Sequence, residues 1–263
     1  MSRPDPFSRS LSALVFDAEQ LPLQFGMLSP EARAGLLAVG CDPDASSAWF
    51  KASSAAAREA GVRNRQASNI KDLFRDDLKK LGQTGFVWIQ TARRLVRSAY
   101  GKCVDPDEAK NEAARAGLEA LRTALRATHP RPPLVIDDLK RATALLPHAK
   151  ALAPHLRLEL PWHEEHESSI LARYAPDWAA LGSAPLLDHL LAATAAVEAS
   201  EKRHSETSKA ATAWRDTLRS RLAQLAADWK NAGLVAGHEV APLILQYTKD
   251  AAPKRRKKRE EQG

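Results

Sequence analysis

Arg93, Arg94 and Arg97 are the side chains of this chain whose type and spacing best suit a chemistry that a ligand could use. A guanidinium stays charged at any physiological pH and offers a planar fork of donors that matches a phosphate. At about 100° per residue, Arg93 and Arg97 stack one helical turn apart, with Arg94 beside them and Gln90 one turn before Arg94. Just upstream, Lys71, Arg75 and Lys79 recur every fourth residue and form a second basic row.

These rows belong to a wider asymmetry. The formal charge is +7. Residues 58–102 hold eleven Lys and Arg, including Arg63, Arg65 and Lys102, against the four acids Glu59, Asp72, Asp76 and Asp77. A second basic run, Lys254, Arg255, Arg256, Lys257, Lys258 and Arg259, lies at the C-terminal end and is followed by Glu260 and Glu261. The rest of the chain is net acidic. Positive charge gathered into one block and one tail is the distribution that phosphate binding requires, because each neutralised phosphate releases counterions. The expected nucleic-acid contacts are therefore Arg63, Arg65, Lys71, Arg75, Lys79, Arg93, Arg94, Arg97, Lys102 and the six basic residues of the tail.

A second constellation is PWHEEHESS. His163 and His166 are three apart and Glu167 is four from His163, so on a helix they offer two nitrogens and a carboxylate to a divalent metal. The spacing is neither HExxH nor HxxEH, and acids just after Pro161 are accounted for by the helix dipole and N-terminal capping. No metal or other cofactor is expected, and these three residues are kept only as weak candidate ligands. There is no GxSxG, no GxxxxGK[ST] and no GxGxxG. Cys41 and Cys103 lie far apart in no CxxC pattern, which excludes a disulfide framework and a cysteine zinc site.

The elements that must carry these residues are helical. Alanine, with 48 residues, is the outlier of the composition, and it is the strongest helix former because it has no side-chain rotamer freedom to lose. Ser29-Pro30-Glu31 reads as a helix start closed by Gly40, and Asp42-Pro43 as the next start, closed by Gly61. Ser68 is placed as the cap of a helix whose Ile70, Leu73, Phe74, Leu78 and Leu81 form a buried face ended by Gly82. After the turn GQTG comes the arginine helix, 85–100, with Phe86, Ile89, Ala92, Val96 and Ala99 on its inner side and Trp88, Leu95 and Tyr100 at the margins. Asp105-Pro106 opens a further helix with the stripe Ala113, Leu118, Leu121 and Leu125.

HPRPPL, with three prolines in four positions, reads as a linker because proline removes a backbone donor and clashes with the preceding turn. The helix after it is expected to break or restart at Pro147. LRLEL, 156–160, alternates like a strand but is better read as a helix turn or extended linker. The stretch from Ala184 to Asn231 lacks glycine, and a break near 203–208 is expected because EKRHSETS is polar on every side. Its second half carries the core stripe Trp214, Leu218, Leu222, Leu225 and Trp229. A last helix, HEVAPLILQYTKDA, precedes the tail.

The fold expected is all-α: an irregular multi-helix bundle divisible into two sub-bundles, with a disordered basic C-terminal tail. Its parts are an N-terminal helical domain, 1–128, containing a basic helical hairpin, 68–101; a Pro-rich linker, 129–135; a C-terminal helical domain, 136–252; and the tail, 253–263. Two helices joined by a glycine turn raise the helix-turn-helix motif. Leu78 stands where that motif wants a small residue, however, and Phe86, Val87 and Trp88 begin the second helix where base-reading polar residues belong.

The function expected is thus a non-enzymatic helical protein contacting DNA or RNA backbone, as an accessory subunit of a larger nucleoprotein complex with protein partners. The alternatives are a helical adaptor that binds a protein partner and, further off, a metal-dependent enzyme centred on His163, His166 and Glu167. MSRPDPFSRS places proline and aspartate where a signal peptide has its basic region, and no apolar run approaches about 18 residues. A cytoplasmic protein with no membrane span, of a bacterial source suggested by the Ala/Arg/Leu-rich usage, is the expectation.

Overall fold

A computed structural model describes residues 10–104, 106–152, 156 and 182–234. Among these residues every regular element is a helix: α1, Leu11–Gly26; α2, Pro30–Ala38; α3, Pro43–Tyr100; α4, Glu108–Ala124; α5, Pro132–Leu152; and α6, Ser183–Asn231. The all-α expectation holds. None of the helices is long and apolar enough to cross a membrane. The LRLEL, PWHEEHESS and HEVAPLILQYTKDA segments and the basic tail lie outside the described residues, apart from Leu156.

The chain divides into two compact units, Met1–Ser68 with Arg203–Gly263, and Asn69–Lys202. The division falls inside α3 and α6, each of which gives part of its length to each unit. It does not coincide with the proline-rich stretch 129–135, whose residues from Pro132 onward form the first turn of α5. Proline is tolerated there because first-turn N–H groups have no intrahelical partner anyway.

In the first unit, α1 is a helix that the punctuation of the sequence does not announce, with Pro22 in its interior. Its start is fixed by the Ser10 hydroxyl, which accepts from the Ala13 N–H at 3.4 Å. Leu14, Val15, Ala18, Leu21 and Phe25 make its buried face and meet Leu36, Phe50, Leu218, Leu222, Leu225 and Trp229 in one core. Each fully buried side chain of this size contributes about 1.5–3 kcal/mol. The expected caps are present: Ser29 accepts from the Ala32 N–H at 3.2 Å, and Asp42 from the Asp44 N–H at 2.9 Å. Gly40 has φ +80°, the left-handed conformation that ends a helix and favours glycine.

In the second unit, residues 69–100 of α3, α4, α5 and residues 183–202 of α6 enclose a core of Leu81, Trp88, Ile89, Ala92, Val96, Leu118, Leu121, Leu125, Val135, Leu139, Leu186 and Leu190. α4 packs on α5. Ala114 rather than Ala113 lies on the buried stripe of α4.

Four expected helix breaks are absent. The stop at Gly61 and the hairpin over 68–101 are replaced by unbroken α3, so Ser68, Gly82 and Gly85 are all interior. Glycine inside a helix costs about 1 kcal/mol relative to alanine. At two positions the missing Cβ permits close approach: a Cβ on Gly82 would meet the Pro130 carbonyl oxygen at 2.8 Å, and one on Gly85 the Val135 Cγ1 at 2.5 Å. The glycines are contact points for the chain that follows α4, not turn residues.

The break expected near 203–208 is also absent, since α6 is continuous. Its polar middle finds polar partners on α3. Glu201 accepts from the Arg75 guanidinium at 2.9 and 2.6 Å within the second unit. Thr207 Oγ1 lies 3.3 Å from Asn64 Oδ1 within the first. Pro147, finally, is inside α5 and does not end it.

Candidate nucleic-acid interface

The arginine helix of the sequence is the last third of α3. Trp88, Ile89, Ala92 and Val96 are buried, with Phe86 and Ala99 packed beside them, and they fix the rotation of the rod. Trp88 belongs to the core itself. Leu95 and Tyr100 are at the margin, 37% and 45% exposed. With that side inward, Lys79, Lys80, Arg94 and Arg97 are exposed and Arg93 is half-buried. From Lys79 to Arg97 the ridge runs about 27 Å at 1.5 Å per residue.

No acid occurs between Asp77 and Asp105, while Lys79, Lys80, Arg93, Arg94, Arg97 and Lys102 all do. Among the described residues, none of these six cations pairs with a carboxylate. Lys102 follows the end of the helix, where its N–H closes on the Ala99 carbonyl at 2.9 Å.

The other sequence-derived contacts sit differently. Arg63 and Arg65 fall in the first unit, and the Arg63 guanidinium is paired with Glu59 one turn before it. Lys71 is turned toward the buried side, with a side chain only 16% exposed and Asp72 at 3.7 Å. Arg75 is held by Glu201. The row Lys71, Arg75, Lys79 therefore drifts around the rod, and of the three only Lys79 lies on the acid-free ridge. The expected buried face of the preceding segment is likewise rotated: Ile70 and Leu73 are 39% and 48% exposed, while Ala67, Asp77 and Leu81 face inward.

A second group of cations adjoins the ridge. Residues 125–131, read from the sequence as the end of a helix up to 128 and the start of the 129–135 linker, lie against α3. Gln90 Nε2 donates to the Ala127 carbonyl at 3.0 Å, and Pro130 meets α3 at Gly82. The buried carboxylate of Asp138, 2% exposed, fixes this segment by accepting the Ala127 N–H and pairing with the Arg141 guanidinium. Arg141 Nε also reaches the Ala124 carbonyl at the end of α4, at 3.3 Å. Arg126 and Arg131 are thereby held exposed next to the ridge. Arg126 Nε donates to the Thr123 carbonyl at 2.6 Å, at the negative end of the α4 dipole. Sequence reading missed both arginines, since only the fold brings HPRPPL against Gly82.

Other chemistries find less. Among the described residues no group of three His, Cys, Asp or Glu could hold a metal ion, and His163, His166 and Glu167 lie outside them. Both cysteines are free thiols. Burial pushes the Cys41 thiol above its ordinary range, against the opposing hydrogen bond from Ser46, which disfavours the nucleophilic thiolate. Compared with protein family models, curated proteins and solved structures, the chain has no match.

Proposed function

We propose that the protein binds nucleic acid through the phosphate backbone, with the acid-free ridge of α3 as its principal contact. The single observation that carries this reading is the ridge itself: no acid from residue 78 to residue 104, with five cations on a helix whose opposite side is locked in a core and Lys102 just past its end. Cations grouped merely to solvate a helix face are ordinarily interleaved with acids, as they are at Arg63–Glu59 and Arg122–Glu119. The ridge forgoes that pairing and keeps its charge available to an outside anion. The tail, Lys254, Arg255, Arg256, Lys257, Lys258 and Arg259, adds counterion release without reading shape. The reading is of a non-enzymatic cytoplasmic component of a nucleoprotein assembly.

Mobility shifts over a salt series, with one DNA and one RNA probe, test it. Affinity should fall steeply with salt, and Arg93→Ala/Arg94→Ala/Arg97→Ala should flatten the slope of log K against log salt by about 2–3. Undetectable binding at low salt, or a slope untouched by the triple substitution, would remove the proposal.

A second reading, a helical adaptor that pairs with another copy of itself, draws on α1. Phe16, Leu23 and Met27 lie along one side of that helix and its C-terminal end, 61%, 65% and 69% exposed. A concentration-dependent dimer by light scattering, lost in Phe16→Ser/Leu23→Ser, would favour it.

A further inference from the structure

We infer that the nucleic acid this surface takes is a duplex, held on the α3 ridge with Arg126 and Arg131 beside it as further phosphate contacts. The inference rests on the phosphate-binding reading above and adds the class of nucleic acid.

Proteins that hold single strands place exposed aromatic rings along a basic groove, because every base offers a face to stack on. The α3 ridge lacks such rings. Trp88 is 1% exposed and committed to the core, and Phe86 is packed against it. Among the described Phe, Trp and Tyr side chains of Asn69–Lys202, Tyr100 is the exposed one, and it lies three residues past Arg97, turned about 60° from it around the helix.

Rigidity points the same way. The ridge cannot rotate without displacing Trp88, Ile89, Ala92 and Val96. The 125–131 segment is held at two points, Ala127 by Asp138 and Gln90, and Pro130 by its close approach to Gly82. Cations preset in position suit phosphates that are themselves preset, whereas a flexible strand must first be ordered against them. A duplex also carries one charge per about 1.7 Å of axis, twice the density of one strand, and the ridge of about 27 Å fits within one duplex turn of about 34 Å. Arginine predominates, with five of the seven cations Lys79, Lys80, Arg93, Arg94, Arg97, Arg126 and Arg131, and its fork recognises phosphate oxygens in a fixed plane.

The test uses the full chain with a duplex of about 20 base pairs and each of its separate strands, by fluorescence anisotropy from about 50 to about 200 mM salt. The duplex should bind at least about tenfold more tightly than either strand at matched salt, with the steeper slope. Arg126→Ala/Arg131→Ala should lower the duplex slope by about 1–2 and bring the ratio of single-strand to duplex Kd toward one, with an unchanged melting temperature. Equal or tighter binding of a single strand overturns the inference while leaving phosphate binding in place. A duplex preference that survives the double substitution overturns the role of Arg126 and Arg131. No binding to any probe removes the inference together with the reading beneath it.

Discussion

The first unit neutralises many of its cations and the second leaves a row of them bare. In the first, Arg33 reaches Asp44 at 3.0 Å, Arg58 pairs with Glu19, Arg63 with Glu59, and Arg219 with Asp216 at 3.5 Å. Arg221 lies 5.7 Å from the ring centroid of Trp49, a cation–π distance. In the second, Arg75, Arg115, Arg122 and Arg141 are paired in the same manner. Among the described residues, Lys79, Lys80, Arg93, Arg94 and Arg97 have no such partner, and they fall on one side of one rod. The contrast teaches that basic residues counted along a sequence are not equivalent. An exposed pair contributes at most about 1 kcal/mol, but it cancels the local field that would draw a polyanion.

The glycines repeat the contrast. Gly61, in the first unit, has ordinary room, with Leu11 Cδ2 at 3.4 Å from where a Cβ would stand. Gly82 and Gly85, in the second, do not. Close approach is thus concentrated beneath the bare cations, where α3 receives the segment that presents Arg126 and Arg131.

Five variants would break or sharpen this comparison. The largest effect is expected from Trp88→Ala, which empties the core under the ridge and should cost about 3–5 kcal/mol in denaturant unfolding. A cost below about 1 kcal/mol would mean that the ridge is not locked by that core.

Gly85→Ala should destabilise by about 1–3 kcal/mol, since Val135 is a buried β-branched side chain with little freedom to move. Gly61→Ala, by contrast, should be neutral or stabilising by up to about 1 kcal/mol through helix propensity. Equal melting shifts for the two would erase the distinction between the units.

The paired arginines come next. Arg58→Ala/Arg63→Ala should change the salt slope of nucleic-acid binding by less than about 0.5, against the 2–3 expected for the ridge triple. A loss as large as the triple's would show that pairing does not decide which cations bind.

The smallest effect concerns His189, half-buried on α6. Burial holds its imidazole below the ordinary value of about 6.5, against the opposing pull of Asp188. The unfolded chain then takes up a proton more readily than the folded one. Stability should be full above about pH 6.5 and decline as the pH falls through that value. Melting temperatures at about pH 7.5 and about pH 5.5 should differ less in His189→Gln than in the parent; an equal drop in both would assign the effect to other groups.

Much of the local architecture was legible in the residues. Ser29 and Asp42 announce helix starts, because a short polar side chain satisfies an N–H that the helix leaves open. Gly40 announces an end, because only it adopts φ +80° without strain. The inward set Phe86, Ile89, Ala92 and Val96 follows from the period of 3.6 residues and survives in the structure. The same logic failed at Gly61, Gly82 and Gly85. The small residue that ends one helix lets another segment pack closely on the next, and a glycine by itself does not say which. Ile70 and Leu73 were misplaced for a related reason: period identifies a face, but which neighbour covers it is decided elsewhere in the chain.

By itself, then, the sequence determined the helical class, the caps, the inward side of the arginine helix and the acid-free run beside it, since all of these depend on residues within a turn or two. The tertiary structure alone decided that α3 and α6 run unbroken, that Arg75 is neutralised by a distant acid while, among the described residues, Arg93, Arg94 and Arg97 pair with none, and that Asp138 brings Arg126 and Arg131 to the ridge. Those outcomes depend on partners up to 143 positions away, as for Asn64 and Thr207. No local propensity encodes contacts at that range; they exist only once the core has closed.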